Sequence, residues 1–290
     1  MAYFLLSLSV ILSTGRNLLS KNLSFVRFKT KQFFLCQSIL FFFGAFAILL
    51  FGKVSFISIA QETLLYSMIY GALLILAQWF YTAALSNGNT AACSTVYSLG
   101  FIFPTLSGAI LFGEAFSSVD LLGVLAAMAA VVLSGLRVNK KDNASKAYYF
   151  IPLVIAMLAS GGLGIVQKVQ QKSDYADQRP IFLLIAFLLA AGISLLFALM
   201  TKSTETDTDI LRARKLTVAA LVGAFFGCCN LLNTLLAGLL DSAIFFPTLN
   251  IGVILLSTLS ASMLFRERLS RKEISVLVLG GISILLLNFG

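Results

Sequence analysis

Residues 111–117 read LFGEAFS and residues 264–270 read LFRERLS, so one short motif occurs twice in the chain, 153 positions apart. Over the thirteen aligned positions that end with these two motifs, seven residues are identical. The flanking sequence adds few identities, but it keeps apolar residues opposite apolar residues. A repeat of this length in so apolar a chain indicates two copies of one membrane unit.

The amino-acid composition excludes a soluble domain. The 290 residues are 59% hydrophobic and 11% charged, with a mean hydropathy of +0.97, whereas soluble domains are about 45–50% apolar and about 25% charged. Apolar runs of about 20 residues, the length of a membrane-spanning helix, recur along nearly the whole chain. The first run begins at Tyr3 without a basic residue before it, which indicates a first span rather than a cleavable signal peptide.

The cysteines and the other reactive residue types do not form a recognisable chemical site. The four cysteines lie within apolar runs, and the chain has no histidine. This pattern is typical of small buried side chains and predicts neither a disulfide nor a metal site. No phosphate-binding loop, Ser/His/Asp set or nucleic-acid-binding module is recognisable. We therefore expect no cofactor, no enzymatic activity and no nucleic-acid partner.

Hydropathy predicts an all-α membrane protein with ten transmembrane helices. The predicted spans are Tyr3–Ser20, Phe33–Phe51, Leu64–Leu85, Ala91–Phe112, Val119–Val138, Tyr148–Val166, Ile181–Met200, Leu216–Leu240, Ala243–Phe265 and Ile274–Phe289. A polar linker near 139–146 separates five spans from five. Because five is odd, equivalent segments lie on opposite sides of the membrane, so we expect two inverted five-helix repeats, 1–143 and 144–290, within one integral membrane unit.

The distribution of basic residues supports this inverted arrangement. The connections on one side of the membrane hold 17 Lys and Arg residues, counting Arg16, and those on the other side hold four. The positive-inside rule makes the richer side cytoplasmic and both termini external. The repeated segment carries the same signal, because its first copy (GEAFSSVD) has no basic residue while its second (RERLSRKE) has four.

Each copy of the motif predicts a helix–turn–helix. Ser117 and Asp120, like Ser270 and Glu273, have the spacing of a capping box, in which the serine oxygen accepts a backbone N–H and the acid binds another. An acidic residue lies three positions before each serine, Glu114 in the first copy and Glu267 in the second. We interpret both acids as structural groups that hold the turn.

Two five-helix halves that each end with a Phe-x-Glu-x-x-Ser turn resemble EamA-type members of the drug/metabolite transporter superfamily, over the full length of the chain. The resemblance implies a secondary transporter with a central cavity lined by spans 1, 3, 4, 6, 8 and 9. Small multidrug members of the superfamily carry a glutamate within their first helix, and this chain has no acidic residue in the middle of any span. Proton-coupled drug antiport is therefore disfavoured.

The first set of candidate substrate-binding residues lies on spans 1, 3 and 8. Arg16 and Asn17 could bind an anionic end of a substrate, although Arg16 could instead reach lipid headgroups from the cytoplasmic interface. Span 3 offers aromatic and amide groups for a cavity wall. Span 8 offers two amides on one helix face, which could line a cavity or join helices. The candidates on spans 3 and 8 are Gln78, Trp79, Tyr81, Asn230 and Asn233.

The second set lies on spans 4 and 9, which contain Pro104 and Pro247. Each proline removes a backbone hydrogen bond, and backbone freed in this way is tolerated where it lines a cavity. The polar candidates beside these prolines are Ser94, Tyr97, Thr248 and Asn250. Tyr97 and Asn250 occupy equivalent repeat positions, and we place the substrate between them.

Three functions remain open from the sequence. We expect a transporter that moves a small polar metabolite, neutral or zwitterionic and amino-acid-like, across the cell membrane by alternating access. One alternative is a transporter of quaternary-ammonium or other organic cations that uses an aromatic site. The other is a lipid carrier or flippase. The expected partners are the bilayer and a small-molecule substrate, with the protein acting as a monomer or a homodimer.

Overall fold

The computed structural model describes residues 1–20, 30–56, 58–87, 93, 96–135, 146–202, 213–265 and 271–289. Within these ranges the chain contains ten α-helices and no β-strand. They are α1 (Ala2–Ser20), α2 (Lys31–Phe51), α3 (Gln61–Asn87), α4 (Ile102–Phe112), α5 (Ser118–Gly135), α6 (Lys146–Lys172), α7 (Arg179–Met200), α8 (Ala213–Leu239), α9 (Ser242–Phe265) and α10 (Arg271–Phe289). A 3-10 turn precedes α4 at Leu99–Phe101, beside Pro104.

The all-helical prediction with ten helices is confirmed. In the described part of the chain, seven helices are long and apolar enough to cross a membrane, and α4, α5 and α10 contain shorter apolar segments. Two boundaries differ most from the prediction: α4 begins at Ile102, after the 3-10 turn, although hydropathy began this span at Ala91, and α6 continues to Lys172 although hydropathy placed its end at Val166. The additional turns contain Gln167, Lys168 and Gln170, which are buried. Hydropathy counts such residues as loop because it cannot register their hydrogen-bond partners.

The outer surface of the bundle is apolar, as contact with lipid requires. On α2, the side chains of Phe42, Phe43, Phe46, Leu49 and Leu50 are exposed, while the opposite face of the same helix is buried in the core. A soluble monomer rarely exposes a contiguous apolar patch of this size. The surface therefore fits a membrane-embedded protein.

The first five helices pack mainly against the last five. α2 lies against α7 and α8, α3 against α6 and α7, α1 against α8 and α9, and α5 against α10. The rings of Phe34 and Phe197 are 5.4 Å apart. Further along α2, Phe41 contacts Phe187, which lies earlier on α7. α2 and α7 are therefore antiparallel, and the largest core cluster is built from both halves of the chain.

Two glycines allow α8 to touch the backbone of α2. A Cβ atom at Gly223 would lie 2.2 Å from the carbonyl oxygen of Leu40, and one at Gly227 would lie 2.2 Å from that of Gly44. These glycines are four residues apart, which is the small-xxx-small spacing of closely packed membrane helices. The sequence contained this signal, but it did not indicate which helix would be the partner.

Gln178 links two connections between helices at one end of the bundle. Its side-chain oxygen accepts hydrogen bonds from the backbone N–H of Ala60 at 3.1 Å and the hydroxyl of Thr63 at 2.7 Å. Its amide nitrogen donates to the carbonyl of Ser58 at 3.1 Å. The α2–α3 and α6–α7 connections therefore lie at the same end of the bundle.

The predicted capping box at the start of α5 is present. The backbone N–H of Asp120 donates to the Ser117 hydroxyl oxygen at 3.0 Å, and the Asp120 carboxylate accepts the Ser117 N–H at 2.8 Å. Gly113 ends α4 in the left-handed conformation, with φ +61°. The second copy of the motif, with Glu267 and Ser270, lies outside the described residues.

Replacing Ser117 with alanine should lower the free energy of unfolding by about 1 kcal/mol, because one helix N-terminal N–H loses its acceptor. The measurement is the thermal unfolding midpoint of the purified protein in detergent. Ser118→Ala is the matched control, since Ser118 is the exposed first residue of α5. Equal effects of the two substitutions would contradict a capping role for Ser117.

Candidate functional site

Polar side chains on one face of α1 contact α8 in antiparallel order. The hydroxyl of Ser9 donates a short hydrogen bond to the side-chain oxygen of Asn233. One turn later, the hydroxyl of Ser13 lies 3.5 Å from the sulfur of Cys229. Ser9 is fully buried and Asn233 is half-buried. Ser9 and Ser13 are four residues apart, and this helical spacing is the sequence signal of a polar face on α1.

The guanidinium group of Arg16 continues this face and lies inside the bundle. Its Cζ atom is 4.1 Å from the centre of the Phe226 ring. Phe226 is the middle residue of α8, about 20 Å from either helix end at 1.5 Å per residue. Side chains of α-helices point back towards the helix N-terminus, so the long Arg16 side chain reaches deeper than its Cα atom. This contact favours an interior role for Arg16 over a headgroup contact, and the neighbouring side chain of Asn17 is exposed.

Tyr70, Gln167 and Asn230 form a buried hydrogen-bonded cluster between α3, α6 and α8. The Tyr70 hydroxyl donates to the Asn230 side-chain oxygen at 2.5 Å and accepts from the Gln167 amide at 2.8 Å. The Gln167 amide also lies 3.3 Å from the same Asn230 oxygen. The Asn230 amide nitrogen donates to the Phe226 carbonyl at 2.8 Å. Asn230 therefore joins helices, and Tyr70 is a member that the sequence analysis missed.

Tyr81 and Tyr97 form an aromatic pair beside this cluster. Their ring centroids are 4.5 Å apart, with 39° between the ring planes, and both side chains are half-buried. Arg16 is close enough for its charge to act on the hydroxyls of Tyr70 and Tyr81. Helices α1, α3, α6 and α8 and the segment that leads into α4 thus contribute to one polar and aromatic interior.

Trp79 lies away from this interior. Its indole ring packs edge-to-face against Phe34 and Phe197, at centroid distances of 4.9 Å each, and also contacts Phe33. Trp79 lies past the middle of α3, and its side chain points towards α2 and α7. Gln78, the preceding residue, is half-buried.

The candidates on α9 are bonded within the helical framework. The Asn250 amide donates to the Phe246 carbonyl at 2.9 Å, one turn earlier on α9. The Thr248 hydroxyl oxygen lies 3.4 Å from the Asn288 amide nitrogen of α10. Tyr97 stacks on Tyr81, and its pairing with Asn250 across a substrate stays a prediction. Ser94 lies outside the described residues.

Glu114 is bound by helices of the second half. Its carboxylate forms an ion pair with Lys168 of α6 and accepts the N–H of Ser242, the first residue of α9, at 2.7 Å. Lys168 also donates to the Leu240 carbonyl at 2.9 Å. The two charged side chains are only 1% and 8% exposed. Gly108 makes room for this contact, since a Cβ atom there would lie 2.5 Å from that of Ser242. Glu114 thus joins its turn to α6 and α9 rather than tying α4 to α5 alone.

This environment controls the ionisation of Glu114. Burial by itself would raise the pKa of the carboxyl group, but the hydrogen bonds from Lys168 and Ser242 outweigh burial and hold the pKa below its ordinary value of 4.5. A depressed pKa in the folded state means that the ionised group stabilises the fold above about pH 4.5. That contribution is lost as the pH falls through the lower, folded-state pKa.

The difference in stability between the wild-type protein and the Glu114→Gln variant should therefore depend on pH. We expect the wild-type protein to have the higher unfolding midpoint at neutral pH, and the difference to shrink as the pH falls below 4.5. The measurement is the unfolding midpoint of both proteins in detergent across a series of acidic buffers. A difference that stays constant down to the acid limit would contradict the role of the ionised carboxylate.

Comparison with known proteins gives a fold but no activity. No family model matches the chain. An uncharacterized protein of Haemophilus influenzae is 24% identical over 181 residues, which are 60% of this chain and 57% of that protein. The chain thus spans less than two thirds of the length of this relative. A solved structure titled "Crystal structure of protein" is similar over 99% of this chain and 96% of that chain, with a TM-score of 0.79 and 17% identity. This likeness shows a shared fold alone.

Proposed function

We propose that the protein is an EamA-type secondary transporter of the cell membrane that moves a small polar metabolite, neutral or zwitterionic and amino-acid-like. The observation that carries the proposal is the Arg16 guanidinium, which lies level with the middle of α8 in a bundle whose outer surface is apolar. A charge at this depth is unfavourable unless it serves a function, and such residues commonly mark solute pathways. Helices from both halves surround it, as expected for a site at a repeat interface.

Helix packing supports an arrangement of two inverted five-helix repeats, 1–143 and 144–290. α2 and α7 would be equivalent helices of the two repeats, and they run antiparallel. α1 packs on α8 and α9, while α6 packs on α3 and α4, which is the same set of contacts with the halves exchanged. Inverted repeats of this kind allow the two halves to rock about a central site.

The mechanism that we infer is alternating access. Gln178 joins the α2–α3 and α6–α7 connections, and the Glu114–Lys168 pair joins the α4–α5 turn to α6 and α9. These contacts close one end of the bundle, and they must separate whenever the interior opens there. We propose that this end is extracellular and that both termini lie there, because only four of the 21 basic residues belong to it.

A second candidate is transport of an organic cation. The Tyr81–Tyr97 pair presents aromatic faces to the interior, and such faces attract quaternary ammonium groups. The positive charge of Arg16 acts on the same region and would repel a cation. We therefore rank this candidate below a neutral or zwitterionic metabolite.

Transport should be tested by counterflow in proteoliposomes. Vesicles loaded with unlabelled members of a metabolite panel are mixed with the corresponding labelled compound, and trans-stimulated uptake is measured against protein-free vesicles. We expect saturable exchange of an amino-acid-like solute. Exchange of choline-like cations alone would favour the second candidate. Absence of exchange for every compound, in vesicles that contain folded protein, would contradict both.

A further inference from the structure

We propose that Arg16 binds a carboxylate group of the solute, so that the ligand is an amino acid or a similar zwitterion with a free carboxylate. The proposal rests on the proposed transport function and deepens it by naming the chemical group that is recognised. It follows from three observations. They concern the absence of an acidic partner for Arg16 among the described residues, the hydrogen bonds that the neighbouring amides already make, and the single positive charge of Arg16.

The first observation is that Arg16 has no protein counter-ion in the described part of the chain. The six acidic side chains described there all lie in connections or at helix ends, close to the end of the bundle that Gln178 joins; they are Glu62, Glu114, Asp120, Asp174, Asp177 and Asp241. None of them pairs with Arg16, whose guanidinium group lies over the face of the Phe226 ring. An aromatic face stabilises a guanidinium group but does not neutralise its charge. Among the described residues its positive charge is therefore uncompensated, and we assign the counter-ion to the solute.

The second observation is that the neutral polar groups of the interior are already bonded to one another. The Asn230 oxygen accepts from two donors, and its amide nitrogen binds a backbone carbonyl. The oxygen of Asn233 accepts the Ser9 hydroxyl, and the amide of Asn250 binds its own helix. These amides hold the bundle together, and a ligand would have to displace those bonds to use them. Arg16, by contrast, donates no hydrogen bond to the described residues, which leaves the five N–H donors of its guanidinium group for a ligand.

The third observation is that the Arg16 guanidinium carries a single positive charge without a paired acid among the described residues. Lys168, the fully buried cation of the described residues, is by contrast paired with Glu114. A carboxylate brings a single negative charge and matches the planar guanidinium fork in a bidentate pair. A phosphate monoester would bring nearly two negative charges and leave one of them unpaired. The Tyr81 ring, whose centroid lies 4.5 Å from that of Tyr97, is within the electrostatic reach of Arg16, so we expect the non-acidic part of the solute to pack against these aromatic side chains.

The test is ligand-induced stabilisation of the purified protein in detergent. The probes are the twenty standard amino acids, simple mono- and dicarboxylic acids, the carboxamides of the amino acids that stabilise, choline and sugar phosphates. We expect at least one free carboxylate to raise the unfolding midpoint, while its carboxamide does not. Arg16→Gln should weaken the binding of that acid by at least about tenfold, and Arg16→Lys by less, because lysine keeps the charge but lacks the fork. Ser7→Ala is the matched control and should bind like the wild-type protein, because Ser7 is an exposed residue of the same helix whose hydroxyl bonds to the Tyr3 carbonyl.

Several results would overturn the proposal. They are stabilisation by no carboxylate, equal stabilisation by an acid and its carboxamide, preferential stabilisation by choline or a sugar phosphate, and unchanged binding in a folded Arg16→Gln variant. The acid–carboxamide comparison uses the wild-type protein, so it tests recognition of the carboxylate even if a variant does not fold. Binding of acids through Arg16 without counterflow would support this site and contradict transport. Counterflow of solutes without a carboxylate would support transport and contradict this site.

Discussion

Replacing Lys168 with methionine is expected to lower the free energy of unfolding by about 3–5 kcal/mol, because it leaves a buried carboxylate without its cation. The Glu114 carboxylate is 8% exposed and lies against Lys168 and the first N–H of α9. Methionine retains most of the side-chain volume of lysine, so the loss of stability would come mainly from removal of the positive charge. The measurement is the unfolding midpoint in detergent at neutral pH, which should fall by more than roughly 5 °C.

A double-mutant cycle makes this prediction specific. Glu114→Gln alone leaves Lys168 buried and unpaired, so it should also destabilise the protein. The double variant, which has neither charge, should be more stable than the sum of the single effects predicts, by at least about 1 kcal/mol. Lys172→Met is the matched control, because Lys172 lies one turn later on the same helix and is exposed. Equal effects at 168 and 172, or simple additivity in the cycle, would contradict a stabilising pair.

Gly227→Ala should destabilise the bundle by about 1–3 kcal/mol, although alanine is the better helix former. The new Cβ would lie 2.2 Å from the Gly44 carbonyl oxygen and 3.0 Å from the Gly44 Cα atom. Neither atom belongs to a flexible side chain, so α2 and α8 must move apart. That movement would loosen the core cluster that contains Phe41 and Phe226. The measurement is again the unfolding midpoint in detergent.

Gly192→Ala is the control for this substitution. Gly192 also lies within a membrane-spanning helix, but no heavy atom lies within 4 Å of a Cβ built there. Alanine at this position should leave the midpoint unchanged or raise it slightly, because it favours the helical conformation. A loss of stability at Gly192 as large as that at Gly227 would show that helix propensity, and not backbone contact, determines the result.

The helices were predictable because a bilayer imposes them on the sequence. Backbone groups in hydrocarbon must be bonded within their own segment, so a long apolar run becomes a helix whatever its neighbours are. The capping box was predictable for a related reason, since Ser117 and Asp120 bind groups within one turn of chain. Both inferences depend on local sequence alone.

The contacts of the site depend on which helix faces meet, and hydropathy does not record this. Trp79 was predicted to line a cavity from its position along α3, yet its ring points towards Phe34 and Phe197. The amide of Asn230 meets Tyr70, 160 positions away in the chain. Glu114 lies in the repeated motif at residues 111–117, but the cation that pairs with it is Lys168 on another helix. Long-range partners of this kind follow from helix packing and are not encoded in the spacing of residues.

The interleaved packing of the two halves has a consequence for biosynthesis. The chief packing partners of α2 are α7 and α8, which the ribosome makes only after the first five helices are complete. Until then, the glycine-contact face of α2 and its buried phenylalanines have only lipid or the translocation machinery to cover them. Assembly of the core must therefore follow insertion, and a nascent chain that stops after α5 lacks the surfaces that would complete it.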